Sequence, residues 1–284
     1  MSELVRRIAS GIVLIIVALV TTWTGGLIAV ATFLILSLFV LVEWERLTGA
    51  KSQGRLVSGI AIVAIGAFIA HYVGPVAAMG VGTGLLFLAL GSALLESPRR
   101  WSFTGMTYAT WLVISLVSLR GHDSGGLSAI LFVFAAVWTT DIAAYFGGRA
   151  MGGPKLMPKV SPNKTWSGAI TGMVAAVLVC VGYLVWADGH VAQHAPTRTD
   201  LSAVALAALL AAFLSATAQA GDLFESGLKR KFGVKDSGSI LPGHGGFMDR
   251  VDGLVFASTA AFLIGLAHKG EGTVAQGLLT WGIQ

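Results

Sequence analysis

Charge is what this sequence has least of: Asp, Glu, Lys and Arg make up 12% of its 284 residues. Soluble domains carry about 25%, so a water-soluble globular protein is excluded. Cysteine is nearly absent. Cys180 is the only one and lies in an apolar run, which rules out an internal disulfide and argues against a thiolate metal site. Neither glycine-rich segment contains GxxxxGK[ST], which excludes a P-loop ATPase. Low-complexity tracts and clear internal repeats are also missing.

What is abundant is apolar sequence. Hydrophobic residues are 55% of the chain and mean hydropathy is +0.79. At about 20 residues per crossing, this length allows roughly nine or ten spans and no sizeable soluble domain. Candidate spans run 8–23, 26–42, 56–72, 75–95, 105–119, 127–146, 167–187, 201–220 and 252–268. The expected fold is therefore all-α: a polytopic integral membrane helical protein of about nine transmembrane helices. It reads as one membrane domain, with scaffold helices in 1–125 and a catalytic region in 126–284. The first five spans carry almost no chemistry and read as scaffold. The start, Met1 to Arg7 followed by apolar 8–23, resembles a signal peptide, but no small-residue cleavage site follows and Thr24-Gly25-Gly26 leads into another apolar run. It is read as a retained first span.

The basic excess, pI about 9.6, is a topology signal and not a sign of nucleic-acid binding. With nine spans and the N-terminus inside, Arg6, Arg7, Arg46, Lys51, Arg55, Arg99 and Arg100 fall in the first three cytoplasmic segments. Arg149, Lys155, Lys159 and Lys164 fall in the fourth, and Lys229, Arg230, Lys231, Lys235 and Arg250 in the fifth. Only Arg120, Arg198 and Lys269 are left outside. Sixteen of nineteen inside is what the positive-inside rule asks for.

Polar residues of interest collect in three places. One is TTDIAAYFGGRAMGGPKLMPKVSPNKTW, Thr139 to Trp166; another is Gly221 to Ser226; the third runs from Lys229 through GHGGFMDRVDG to Asp252 and Gly253. This topology puts all three at the cytoplasmic side. Asp141 lies within a predicted span, about 12 Å along a helix from Arg149. An acid at that depth is costly and has either an ion-pair partner or a function. Asp222, Glu225, Asp249 and Asp252 flank one predicted loop. Carboxylates with little histidine suit a hard cation, Mg²⁺ ahead of Zn²⁺, although a solvated loop of mixed charge has the same spacing. The Lys and Arg side chains suit phosphates and serve equally as orientation charges beside anionic lipid. Gly147-Gly148, Gly152-Gly153 and Gly243-His244-Gly245-Gly246 let backbone N–H groups approach an anion. His244 positions a phosphate, shuttles a proton or simply packs.

The stretch SGLKRKFGVKDSGSILPGHGGFMDRVD, Ser226 to Asp252, closely resembles the signature of the phosphatidate cytidylyltransferases, or CDP-diglyceride synthases. Asp141-x-x-Ala-Tyr-x-Gly-Gly-Arg149 and Ser161-Pro-Asn-Lys-Thr-Trp166 look like that family's second block. Gly253 departs from the pattern, which usually has Ser there. The resemblance implies synthesis of CDP-diacylglycerol and pyrophosphate from CTP and phosphatidic acid, by a Mg²⁺-dependent membrane enzyme with K⁺ as a possible second cation. It also implies a homodimer in a bacterial inner membrane, acting on membrane lipid from the cytoplasmic side. Asp222 and Asp249 would hold the metal, with Lys229 and Arg230 beside them at the reacting phosphates. Substrate binding would fall to Asp141, Arg149, Ser161, Asn163, Lys164, Thr165, Glu225, Lys235, Asp236, His244, Gly245, Gly246, Arg250 and Asp252. The competing readings are a related CTP-dependent transferase on another lipid phosphate and a membrane transporter. A transporter calls for charged or broken-helix sites at mid-bilayer between repeats, and no repeat is evident.

The charge distribution makes a direct prediction. Cysteines at Ser52 and Ser161 should resist membrane-impermeant thiol reagents in intact cells, and one at Thr197 should label. External labelling at position 161 would overturn the orientation.

Overall fold

The computed structural model describes residues 3–49, 52–94, 99–191, 201–238, 245–269 and 272–279. Helices α1 (Glu3–Thr24), α2 (Gly26–Leu47), α3 (Gln53–Phe68), α4 (Pro75–Gly91) and α5 (Arg99–Arg120) make up the first part of the chain. There follow α6 (Ser124–Met151), strands β1 (Lys155–Met157) and β2 (Ser161–Thr165), α7 (Trp166–Val191), α8 (Leu201–Lys231), α9 (Met248–His268) and the short α10 (Val274–Leu279). Each predicted span overlaps one of these helices, although 56–72 and 75–95 run past the ends of α3 and α4. The protein is thus an all-α polytopic membrane protein; among the described residues seven helical stretches are long and apolar enough to cross: Gly26–Leu47, Gln53–Val73, Arg100–Arg120, Gly125–Met151, Trp166–Ala187, Leu201–Lys231 and Met248–His268. Gly11–Thr24 and Pro75–Gly91 are apolar but shorter.

Two differences from the sequence reading matter for the site. Helices α2, α6 and α8 run past their apolar stretches, to Leu47, Met151 and Lys231, and α9 starts early, at Met248. Hydropathy marks where a helix leaves lipid, whereas backbone hydrogen bonding continues until a cap or turn stops it. The motif acids 222, 225, 249 and 252 therefore sit on helices, at fixed angular positions. The second difference is that the segment after α6 is a small antiparallel hairpin, pairing Lys155 with Thr165 and Met157 with Ser161.

By its internal contacts the chain divides into two compact units, one of residues 1–122 with 228–251, the other of residues 123–227 with 252–284. In the first unit α5 is the central helix, buried along most of its length and packed by α2, α3 and α4. It is also rich in hydroxyls, with Ser102, Thr107, Thr110, Ser115 and Ser118 buried. In lipid the faces hidden from the solvent are the ones that tolerate polarity. Thr107 donates to the Leu85 carbonyl at 3.1 Å, and Trp44 Nε1 to the Trp101 carbonyl at 2.7 Å. In the second unit α6 and α7 approach through glycine. A Cβ on Gly168 would come within 2.7 Å of the Ala144 carbonyl oxygen, and one on Gly172 within 2.7 Å of that of Thr140. Gly168 and Gly172 form a GxxxG pair, the spacing that lets two helix backbones touch in a membrane. Helices α8 and α9 cross in the same manner at Gly221, where a Cβ would come within 2.5 Å of the Asp252 carbonyl oxygen.

The glycine contacts generate a stability prediction. Gly172→Val should lower the detergent thermal midpoint, at a cost of about 1–3 kcal/mol from overpacking. Gly182→Val, on the same helix at a position where a Cβ would meet nothing within 4 Å, should leave it nearly unchanged. Equal midpoints for the two variants would refute the close α6–α7 approach.

Candidate active site

In the second unit the site is assembled by a polar stripe along α8. Ser215, Gln219, Asp222 and Ser226 are spaced 4, 3 and 4 residues apart, which puts them on one helix face. Thr140 of α6 donates to Ser215 Oγ at 2.8 Å, and both residues are fully buried. Gln219 Nε2 donates to the Ala169 carbonyl of α7 and to Ser215 Oγ, both at 3.3 Å. These bonds fix the rotation of α8 against α6 and α7. One turn beyond Gln219 they present Asp222, whose Oδ1 accepts from Ser226 Oγ at 3.3 Å.

The hairpin brings a cation to that acid. At the end of α6, Gly152 and Gly153 take φ of +62° and +101°, left-handed values that glycine adopts without strain, and the chain turns into β1. Ser167 Oγ donates to the Gly152 carbonyl and Trp166 N to that of Pro154, closing the neck of the hairpin. Thr165, buried, caps α7 by accepting from Gly168 N at 3.1 Å. The residue before it, Lys164, forms an ion pair with Asp222. Asp252 of α9, half-buried, lies within electrostatic reach of Asp222, Asp141 and Lys164. Three carboxylates and one ammonium thus share one neighbourhood. Arg149 is exposed and donates to Tyr145 Oη at 3.0 Å, one turn back on α6. In the hairpin Ser161 is half-buried and Asn163 exposed, while Glu225 on α8 is buried.

The first unit carries the other motif acids. Helix α8 ends in a Schellman turn: Val234 N donates to the Lys229 carbonyl, Gly233 N to that of Arg230, and Gly233 takes φ of +72°. Lys229 Nζ then reaches Asp249 Oδ1 at 2.6 Å. Asp249 Oδ2 accepts from Ser237 N at 3.0 Å and Gly246 N at 2.9 Å. Both oxygens of Asp249 are engaged, and it binds the two ends of the segment between 237 and 246. Arg230, Lys235, Asp236 and Arg250 are exposed, and Gly245 takes φ of +82°. His244 lies outside the described residues.

Sequence reasoning missed Glu43. It treated α2 as scaffold, yet Glu43 is fully buried, and its Oε2 accepts from Ser237 Oγ at 3.2 Å and Met248 N at 2.8 Å. A signal was present: Glu43 and Glu45 stand together where an apolar run ends. Glu45, also buried, accepts from Ser102 Oγ at 3.0 Å instead. The Ser215–Gln219 stripe was missed for a different reason, since isolated Ser and Gln barely alter hydropathy.

Comparison with known proteins decides what this acidic and basic arrangement belongs to. A model of the cytidylyltransferase family matches residues 5–267. This chain belongs to the cytidylyltransferase family. A phosphatidate cytidylyltransferase of Brucella suis biovar 1 (strain 1330) is 42% identical over 274 residues, covering 93% of this chain and 94% of that protein. One from Staphylococcus saprophyticus subsp. saprophyticus is 34% identical over 258 residues, covering 88% of this chain and 94% of its own length. A Staphylococcus aureus (strain COL) protein of the same name is 34% identical over 259 residues. The family match takes in Lys164, Asp222, Lys229 and Asp249 alike.

The alternatives for Lys164 are a phosphate ligand and an orientation charge, and the first is what the family resemblance implies. Lys164→Gln should therefore lower kcat/KM by more than about tenfold, since a charge-assisted contact is worth about 1.5–3 kcal/mol. Arg46→Gln, exposed and outside every motif, should leave the kinetics unchanged. Equally small effects in steady-state assays of both variants would assign Lys164 to topology alone.

Proposed function

We propose that this chain transfers the cytidylyl group of CTP to phosphatidate, giving CDP-diacylglycerol and pyrophosphate. A phosphatidate phosphate oxygen attacks the α-phosphorus of CTP in line, and the bond from the α-phosphorus to the bridging oxygen of pyrophosphate breaks. The attacking phosphate is already ionised, so no general base is required. The work left to the protein is positioning and charge neutralisation. Lys164, Arg149, Lys229 and Arg230 hold nucleotide and lipid phosphates, Arg through its planar fork and Lys as a point charge.

The donor chemistry suits a hard cation: Asp252 has Asp222 and Asp141 in electrostatic reach, with Lys164 as the ammonium against them. Among the described residues no group of three or more His, Cys, Asp or Glu side chains is clustered closely enough to hold a metal by itself. On the resemblance alone, Mg²⁺, with K⁺ as a second cation, would be held by Asp222 and Asp249 and would neutralise the phosphates and the departing pyrophosphate. For Asp249 this means exchanging some of its bonds to Lys229, Ser237 and Gly246. Asp141 and Asp252 support the acidic neighbourhood of Asp222.

We read Gly11–Thr24 and Pro75–Gly91 as crossings too, which makes nine and accounts for the sixteen-to-three division of Lys and Arg. On that reading the C-terminal ends of α6 and α8 face the cytoplasm of a bacterial cell, across its inner membrane. A homodimer belongs to the reading on the resemblance alone. The observation that carries the function is the meeting of Lys164 and Asp222, two motif residues far apart in sequence, in a chain that matches cytidylyltransferases over nearly its whole length.

Purified protein given labelled CTP and phosphatidate should form labelled CDP-diacylglycerol in the presence of Mg²⁺ and none with a chelator. Asp222→Asn should reduce the rate roughly 10²–10³-fold, the usual loss for an electrostatic stabiliser of this kind, with normal insertion. Product formed only from another lipid phosphate would shift the substrate assignment, and full activity of Asp222→Asn would remove Asp222 from the centre.

A further inference from the structure

Glu43 is a carboxylate at no exposure in the middle of a tightly packed unit, and its surroundings say what it is for. Burying such a group costs several kcal/mol unless donors replace its water, so a scaffold helix gains nothing by carrying one. The donors it has found all lie at the base of the glycine-rich segment. Oε2 takes the Ser237 hydroxyl on the near side and the Met248 N–H on the far side. Two glycines leave the carboxylate its space: a Cβ on Gly238 would come within 2.6 Å of Oε1, and one on Gly246 within 2.6 Å of Oε2. Both positions must be glycine for Glu43 to fit. Phe39, one turn earlier on α2, stacks on Phe247 with ring centroids 4.7 Å apart, so the same helix face grips the segment twice.

The second carboxylate at this base is Asp249, which accepts from Ser237 N and Gly246 N and from Lys229. Ser237 is therefore held from two sides, its N–H by Asp249 and its hydroxyl by Glu43. We infer that Glu43 is a positioning residue for the transfer reaction: from α2 it clamps Ser237 and the start of α9, and so fixes Asp249 and Lys229 in their working geometry. This rests on the cytidylyltransferase reading, in which Asp249 and Lys229 face the reacting phosphates. The role is geometric and not a matter of charge, because a single oxygen of Glu43, Oε2, makes both bonds.

That last point provides the test. Glutamine has an oxygen to place where Oε2 stands and an amide to place where Oε1 stands, so Glu43→Gln keeps both accepted bonds. Kinetics should be measured on purified, folded enzyme in detergent, with KM for CTP and for phosphatidate determined separately. Wild-type turnover comes first, since its absence would refute the cytidylyltransferase reading and not the clamp. Given an active wild type, Glu43→Ala should lower kcat by about tenfold or more per folded molecule, with smaller changes in either KM. Glu43→Gln should return kcat to within about threefold of wild type. Glu45→Gln, on the same helix and bonded to Ser102 instead, should leave kinetics unchanged. Ser237→Ala removes one arm of the clamp while keeping the backbone; it should lower kcat about threefold on its own and add nothing to Glu43→Ala. If Glu43→Ala does not insert, Ser237→Ala at full wild-type kcat is enough to overturn the clamp. Wild-type kcat in folded Glu43→Ala overturns it as well. A Glu43→Gln variant as slow as Glu43→Ala would make the charge itself the requirement and overturn the geometric role.

Discussion

A polar group inside a bilayer has no water to fall back on, and every chemical feature of this protein is arranged under that constraint. The chain meets it with bonds between segments. Thr140, Ser215 and Gln219 satisfy one another and the Ala169 carbonyl across three helices. Lys164 answers Asp222, Lys229 answers Asp249, and Glu43 is answered by a hydroxyl and a helix-terminal N–H. The same interactions that let these residues be buried also set their positions.

The two ion pairs differ in kind. The Lys229 and Asp249 side chains are 13% and 9% exposed, against 29% and 27% for Lys164 and Asp222. Breaking a buried pair by removing one partner costs about 3–5 kcal/mol, whereas exposed pairs are worth about 0–1 kcal/mol. Lys229–Asp249 is therefore substantially a structural lock. Lys164–Asp222 is the softer of the two, and separating its partners costs less. Asp222 and Asp141 both lie in electrostatic reach of Asp252.

Glycine does the complementary work. Gly168 and Gly172 let α7 touch α6, and Gly221 lets α8 touch α9, at distances that a Cβ would not permit. Gly238 and Gly246 leave room for Glu43 in a space that any side chain would fill. Of the chain's 37 glycines, these few are set by what packs on them, and a sequence read alone cannot pick them out.

By itself the sequence determined the class, the approximate spans and the motif acids and bases. Hydropathy, the run of Lys and Arg, and the Ser226–Asp252 signature depend on composition and order along the chain, so they are readable without coordinates. The association of Lys164 with Asp222 and of Lys229 with Asp249 was not readable, because each joins residues whose distance is set by helix rotation and not by spacing. Apolar runs could not show that α8 continues to Lys231 or that α9 begins at Met248, since helices end at caps and not where hydropathy falls. Glu43 was the hardest to foresee: nothing near it in sequence explains a buried carboxylate, and its donors, Ser237 and Met248, lie about two hundred residues away. Only tertiary structure decides such a contact, because a buried charge is tolerated solely where packing delivers its partners.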